Sequence, residues 1–167
     1  MDANAGRRGG GELTLAAHGD REIVMTRTFA APRALVFRAL TEPTLVQQWL
    51  LGPPGWTMPV CTIDLRVGGA YRYVWRHADG REMGMGGIYR EIAAPRRLVH
   101  TEAFDAAWYP GEGLITTELA EAKGITTMTA TLQYVSRAAR DGVLASPMEG
   151  GVAESYRRLA AVLAAGV

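Results

Sequence analysis

Ala70-Tyr71-Arg72-Tyr73-Val74-Trp75-Arg76-His77 is followed by Asp79-Gly80 and then by Met83-Gly84-Met85-Gly86-Gly87-Ile88-Tyr89. Tyr71, Tyr73, Trp75 and His77 recur at every second residue, and Met83, Met85, Gly87 and Tyr89 repeat the same step. A period of two places each set on one face of a strand. An Asp-Gly turn joins such strands into an antiparallel hairpin. Working outward, the alternation continues in Cys61–Val67, Leu98–Phe104, Leu114–Glu121 and Thr126–Tyr134, which with Ala70–His77 and Met83–Ile92 make six strand candidates. The turns between them fall at Gly68-Gly69, Ala94-Pro95-Arg96, Pro110-Gly111-Glu112-Gly113 and Lys123-Gly124. Connections this short leave no room for parallel crossovers and predict an antiparallel meander.

Helical periodicity flanks the meander. Glu22–Phe29, rich in β-branched residues, reads as a strand that feeds a helix after Pro32. In that helix Leu35, Val36, Ala39 and Leu40 share a face, and Thr41-Glu42-Pro43 closes it. A second short helix is read over Thr44–Leu50, with Leu45, Gln48 and Trp49 on one side, ended by Gly52-Pro53-Pro54-Gly55. The only long helix expected is Met148–Ala164: Met148, Val152, Ser155, Tyr156, Leu159, Val162 and Leu163 face one way, and Glu154, Arg157 and Arg158 the other. The layout is α+β, a curved antiparallel sheet of six to seven strands covering the apolar stripe of the C-terminal helix, with two short helices after the first strand. The helix is too short to fill such a sheet, which leaves room for a pocket. Residues 1–20, with Gly6 to Gly11 inside, read as a flexible leader that adds nothing to the fold; residues 21–167 read as one domain.

Composition bounds the function. The chain has 167 residues, 18 basic against 17 acidic, with 48% hydrophobic residues. A chain of this size buries roughly 70% of its unfolded surface and needs no disulfide or metal to hold a core. All the basic residues but Lys123 are Arg, and they are scattered rather than gathered in the stripe that a nucleic-acid or anionic-membrane binder shows. Cys61 is alone, so no internal disulfide forms, and it suits a reducing compartment. No run reaches the ~18 apolar residues that span a bilayer, and the chain reads as cytoplasmic.

Motifs scattered along the chain resemble a known family. They are Arg27-Thr28-Phe29 with Ala31-Pro32; Val36-Phe37 and Thr41-Glu42-Pro43 ahead of Trp49; Asp64-Leu65-Arg66-Val67-Gly68-Gly69 before Tyr71-Arg72-Tyr73; and Asp79-Gly80. Further on come Gly87-Ile88-Tyr89-Arg90-Glu91-Ile92, Pro95 with Leu98-Val99-His100-Thr101, and Gly150-Gly151 with Glu154-Ser155 and Leu159. In order and spacing, over about residues 22 to 163, the chain resembles the small relatives of the activator of the ninety-kilodalton heat-shock-protein ATPase, within the START-like and polyketide-cyclase-related superfamily. The resemblance implies a helix-grip fold with a cavity between sheet and C-terminal helix that often takes an apolar ligand. The eukaryotic activators it resembles carry a further chaperone-binding domain ahead of this one, which residues 1 to 21 are too short to encode, so chaperone stimulation is not expected.

Alternation together with the resemblance nominates ligand-binding residues: Trp49 at the mouth, Tyr71, Tyr73 and Trp75 on one strand, Met83, Met85 and Tyr89 on the next, His100 and Phe104, and Val152 and Tyr156 on the long helix. Plain core packing is the competing reading for each of them. His100, with Leu98, Glu102 and Phe104 on its side, is also the candidate general acid or base. Glu118 is expected to face solvent, and Asp64 and Arg66 to brace a strand end. His18, His77 and His100 show no metal-ligand spacing, and Gly84-Met85-Gly86-Gly87 lacks the third glycine and the helix of a dinucleotide loop. No metal and no cofactor are expected. The favoured function is a binding module for a small hydrophobic molecule. The alternatives are a cyclase or dehydratase acting on a hydrophobic substrate, and a chaperone-interacting protein. A homodimer is left open.

Overall fold

The computed structural model describes residues 11–167; the first half of the expected leader, residues 1–10, lies outside them. Chain order is β1 (Thr14–His18), β2 (Glu22–Phe29), α1 (Arg33–Thr41), α2 (Pro43–Trp49), β3 (Trp56–Ile63), β4 (Ala70–His77), β5 (Glu82–Ala93), β6 (Arg97–Phe104), β7 (Gly113–Ala122), β8 (Ile125–Gln133), α3 (Arg137–Leu144) and α4 (Met148–Ala164). The strands form one antiparallel sheet ordered β1-β2-β8-β7-β6-β5-β4-β3. The expected meander is therefore β3 to β8, and α1 and α2 carry the chain from β2 across to β3 at the opposite edge.

The sheet has eight strands rather than six or seven, because Thr14–His18 is not leader but an edge strand paired with β2, Leu15 opposite Met25 and Ala17 opposite Ile23. The residue that holds it comes from far along the chain. Arg140 on α3 is 5% exposed and donates to the carbonyl oxygens of Gly19 and Glu22 at 3.3 and 2.9 Å, clamping the β1–β2 turn. Helix α3 was not expected either; the Ser136 hydroxyl caps it by accepting from the Ala139 amide at 3.0 Å. The expected strand Cys61–Val67 begins earlier and ends sooner, as Trp56–Ile63, with Pro59 at a register shift between Thr57 and Val60. Proline fits there because β3 is an edge strand. Asp64 and Arg66 thus lie in the β3–β4 turn, where the Arg66 guanidinium donates to the Asp64 carboxylate at 2.8 Å.

The glycine run of β5 is explained by crowding, not by a phosphate. A side chain at Gly87 would collide with the Thr101 carbonyl on β6, and one at Gly84 with the Arg72–Asp105 ion pair. Close approach there lets the Thr101 hydroxyl accept from the Ile88 amide at 2.9 Å.

Helix α4 lies against the concave side. Ser155, Tyr156, Leu159 and Leu163 are its buried residues, and the last three join a core with Phe29 of β2, Tyr71, Tyr73 and Trp75 of β4, Met85 and Tyr89 of β5 and Met128 of β8. Its backbone packs most closely on α2 and α1, while side chains bridge to the sheet: the Tyr156 ring meets Phe29 edge-on at 6.1 Å. The gap between backbone layers is where the site lies. Among the described residues no helix is long and apolar enough to cross a membrane.

Candidate functional site

A cavity of about 480 Å³ occupies that gap. Its sheet wall follows from strand alternation: Tyr71, Tyr73 and Trp75 of β4, Met83, Met85 and Tyr89 of β5, and Leu98, His100, Glu102 and Phe104 of β6 all point inward. Val152 and Tyr156 close it from α4, and Trp49 from α2. Every residue nominated from the sequence as ligand-binding is thus on one cavity wall. His77 is not; its ring packs on Trp56 at 5.0 Å, outside the lining.

Four hydrogen bonds fix the mouth. Trp49 is 4% exposed, and its Nε1–H donates to the Ala39 carbonyl at 2.8 Å. Trp75 Nε1–H donates to the Leu50 carbonyl at 2.7 Å. The loop after α2 is latched to α4, where Ser155 Oγ accepts from the Gly52 amide at 2.9 Å and Arg158 donates to the Gly52 carbonyl at 2.7 Å. Among the lining residues, Pro53, Met83 and Trp108 are exposed to solvent and mark the rim.

The lining contains residues that sequence periodicity did not reveal. Trp56 opens β3, and Trp108 and Tyr109 come from the β6–β7 connection. Tyr134 follows β8, its ring edge-on to Tyr109 at 5.3 Å. The β6–β7 connection carries no alternation, so only the tertiary fold brings Trp108 and Tyr109 inward, whereas Tyr134 continues the step of two from Met128, Ala130 and Leu132. Glu102 had a visible signal, its place two residues from His100, and was noted on that face without being taken as a site residue.

Polar chemistry in this apolar space is sparse. The Tyr71 hydroxyl donates to the Thr101 carbonyl at 2.6 Å, and His100 Nδ1 lies 3.1 Å from both of those oxygens. Since the tyrosyl proton is spent on Thr101, Nδ1 must carry the imidazole proton, which leaves Nε2 as the lone-pair site. Burial lowers the His100 pKa from its ordinary value, partly offset by the Thr101 carbonyl, so the ring is neutral near pH 7. Glu102 is enclosed by protein, and part of its surface stays accessible because it borders the cavity. Burial pushes its carboxyl up to about 7. Cys61, on β3, is packed against the core outside the lining, and burial raises its thiol to about 11, well into the inert range. Glu118 faces outward and pairs with Arg97. Among the described residues no three His, Cys, Asp or Glu side chains gather as a metal site would need.

Comparison with known proteins places this geometry. The sequence model of the family described as Activator of Hsp90 ATPase homolog 1-like protein matches residues 30–164. Among solved structures, a protein from Rhodobacter sphaeroides is 34% identical, covering 93% of this chain and 99% of its own, with a TM-score of 0.87. One from Chromobacterium violaceum is 28% identical over 86% of this chain and 96% of its own, with a TM-score of 0.74. An HSP90 activator from Plasmodium falciparum shares the fold at 19% identity, over 68% of this chain and 72% of its own, with a TM-score of 0.52. No curated protein matches the sequence.

Proposed function

The chain belongs to the Activator of Hsp90 ATPase homolog 1-like protein family, and from that premise we propose that it binds a small apolar or aromatic molecule in the cavity between its sheet and α4. The observation that carries this reading is the cavity itself, about 480 Å³ with walls of tyrosine, tryptophan and methionine. Protein interiors pack like organic crystals, and a gap in an apolar wall forfeits dispersion contacts on every side. Rings that served only as core would interdigitate. Its volume falls within the range of roughly 300–1,000 Å³ that small-molecule sites occupy. The methionines offer soft, adaptable contacts to whatever enters.

All four tryptophans, Trp49, Trp56, Trp75 and Trp108, border the cavity, so indole emission reports directly on its contents. Screening neutral aromatic and aliphatic compounds against the full chain should find some that change tryptophan fluorescence and raise the melting temperature together. If a broad set moves neither, the cavity reading fails and an interaction protein, docking another chain through its surface, replaces it.

A catalytic reading is favoured by one further observation: the His100 lone-pair nitrogen belongs to a neutral imidazole on the same wall as Glu102. These groups suit a proton-transferring enzyme of the cyclase or dehydratase kind. In that case His100→Gln abolishes turnover of a bound compound while leaving its affinity and the melting temperature near the wild-type values. Equal loss of all three marks His100 as a structural residue instead.

A further inference from the structure

Glu102 is the one carboxylate on the cavity wall. None of the described lining residues is Arg, Lys or Asp, and among the described residues no hydrogen bond or ion pair holds the Glu102 carboxylate. The other polar groups of the sheet wall are the tyrosyl hydroxyls, the Thr117 hydroxyl and the His100 ring, whose Nδ1 is held by Tyr71 and Thr101. An ionisable group kept in an apolar chamber without a protein partner is expensive to retain, and its natural partner is something that enters the chamber.

The surroundings specify the sign of that partner. Two chains of rings line the cavity with Glu102. One runs along β4, Tyr71 to Tyr73 at 5.1 Å and Tyr73 to Trp75 at 5.8 Å. The other runs inward from the rim, Phe104 to Trp108 at 5.1 Å, Trp108 to Tyr109 at 5.2 Å and Tyr109 to Tyr134 at 5.3 Å. Aromatic faces carry the negative end of a quadrupole and attract cations. Burial raises the hydroxyl pKa values of Tyr71, Tyr73, Tyr109, Tyr134 and Tyr156, and the negative charge of Glu102 adds to each of these shifts. An inorganic cation does not fit, since one carboxylate without further oxygen ligands cannot replace a hydration shell. An organic cation, weakly hydrated and wrapped in carbon, does fit.

We propose that the cavity selects a lipophilic organic cation, an amine or quaternary ammonium on an apolar or aromatic body, with Glu102 as its counter-ion and the tyrosine and tryptophan faces around it. This rests on the reading of the cavity as a ligand site. The titratable groups that share the lining with Glu102 are His100 on its own strand, Tyr71 and Tyr73 from β4, Tyr89 from β5, Tyr109 and Tyr134 from the connections beside β6 and β8, and Tyr156 from α4; Thr117 of β7 does not titrate. Arg27 of β2 acts on Tyr156 but is not in the lining. Burial holds His100 below its ordinary value and the tyrosines above theirs. Above the ordinary histidine value, then, Glu102 is the lining group that changes charge near neutral pH.

The test compares (4-phenylbutyl)trimethylammonium, a permanent cation, with its neutral isostere carrying a tert-butyl group, by calorimetry on the full chain. At pH 8 the cation should bind at least about tenfold more tightly than the isostere. That preference should disappear at pH 5.5 and in Glu102→Gln, while the isostere binds alike in every condition. If both probes bind wild type equally at pH 8, or the preference survives in Glu102→Gln, the cation inference is overturned and the binding reading stands. If neither probe binds, the cation inference falls and the broad compound screen decides the binding reading. Should Glu102→Gln fail to fold, the wild-type pH series decides alone: a preference unchanged between pH 8 and 5.5 overturns the inference.

Discussion

The two faces of strands β4 to β7 are written by the same residues one step out of phase, and they treat charge in opposite ways. Outside, Arg72 meets Asp105 at 2.6 Å, Arg76 meets Glu82 at 3.1 Å, and Arg97 lies between Glu91 and Glu118. Inside, Tyr71, Tyr73, Trp75, Met85 and Tyr89 leave a chamber whose one carboxylate, Glu102, finds no partner among the described residues. Water screens the outer pairs, so each contributes little; burial strips most water from the inner carboxyl, so its proton is held to about pH 7. Identical side-chain chemistry is decoration on one face of the pleat and an electrostatic commitment on the other.

The strongest way to break this contrast is to remove volume from the inner layer. Leu159 is fully buried between α4 and the sheet, and Leu159→Ala should cost about 2–5 kcal/mol in urea unfolding. A loss below about 1 kcal/mol would mean that α4 does not depend on its contact with the inner layer.

Next comes the inner carboxyl. Its pKa rises from an ordinary 4.5 to about 7 on folding, so the native chain keeps a proton that the unfolded chain releases. That stabilisation is complete below about pH 4.5 and is lost as pH rises through 7, worth about 3 kcal/mol at most. His100 acts oppositely, because its lowered pKa costs stability as pH falls below the ordinary histidine value. Glu102→Gln should therefore raise stability at pH 8 by about 1–3 kcal/mol and change it little near pH 4.5. An unchanged unfolding free energy at pH 8 would show that the carboxyl is solvated in the native chain.

Filling the chamber sharpens the contrast further. Met85→Trp puts a larger ring into the void and should weaken a bound aromatic compound by about tenfold or more, the loss of ~1.4 kcal/mol of contact. Undiminished affinity would place the ligand elsewhere. The smallest effect belongs to the outer face: Glu118→Ala should shift stability by less than about 1 kcal/mol. A larger shift would show that the Arg97 pairs hold β6 to β7 in a way the exposed geometry does not indicate.

How much of this was legible in the sequence follows from periodicity. Strand β4 and helix α4 match their sequence boundaries because each has an uninterrupted period, two in Tyr71-Tyr73-Trp75 and a helical stripe from Val152 through Tyr156 to Leu163. Strand β1 was not legible because its five residues, mostly exposed, carry no inward alternation and follow a glycine-rich stretch; its anchor is Arg140, more than a hundred residues away. Helix α3 hides its only buried stripe, Ala139, Arg140 and Val143, behind arginines and Gly142. The sheet wall of the chamber, and Tyr134 in step with Met128, Ala130 and Leu132, could be read from alternation, whereas Trp108 and Tyr109 reach it from a connection whose direction no local pattern encodes. Glu102 could be placed on the His100 face by counting, but its isolation appears only when the neighbouring elements close around it.

The central claim, a ligand chamber beneath α4, is tested most directly by the methionine ε-methyl NMR signals of the full chain during titration with a neutral aromatic compound such as naphthalene. Met25, Met83, Met85, Met128 and Met148 line the chamber, while Met58 is equally sheltered in the core at 4% exposure but stands outside the lining. The account predicts saturable shifts of those five methyls with Met58 unmoved. Shifts confined to Met58, or none at concentrations that saturate ordinary apolar pockets, would contradict it.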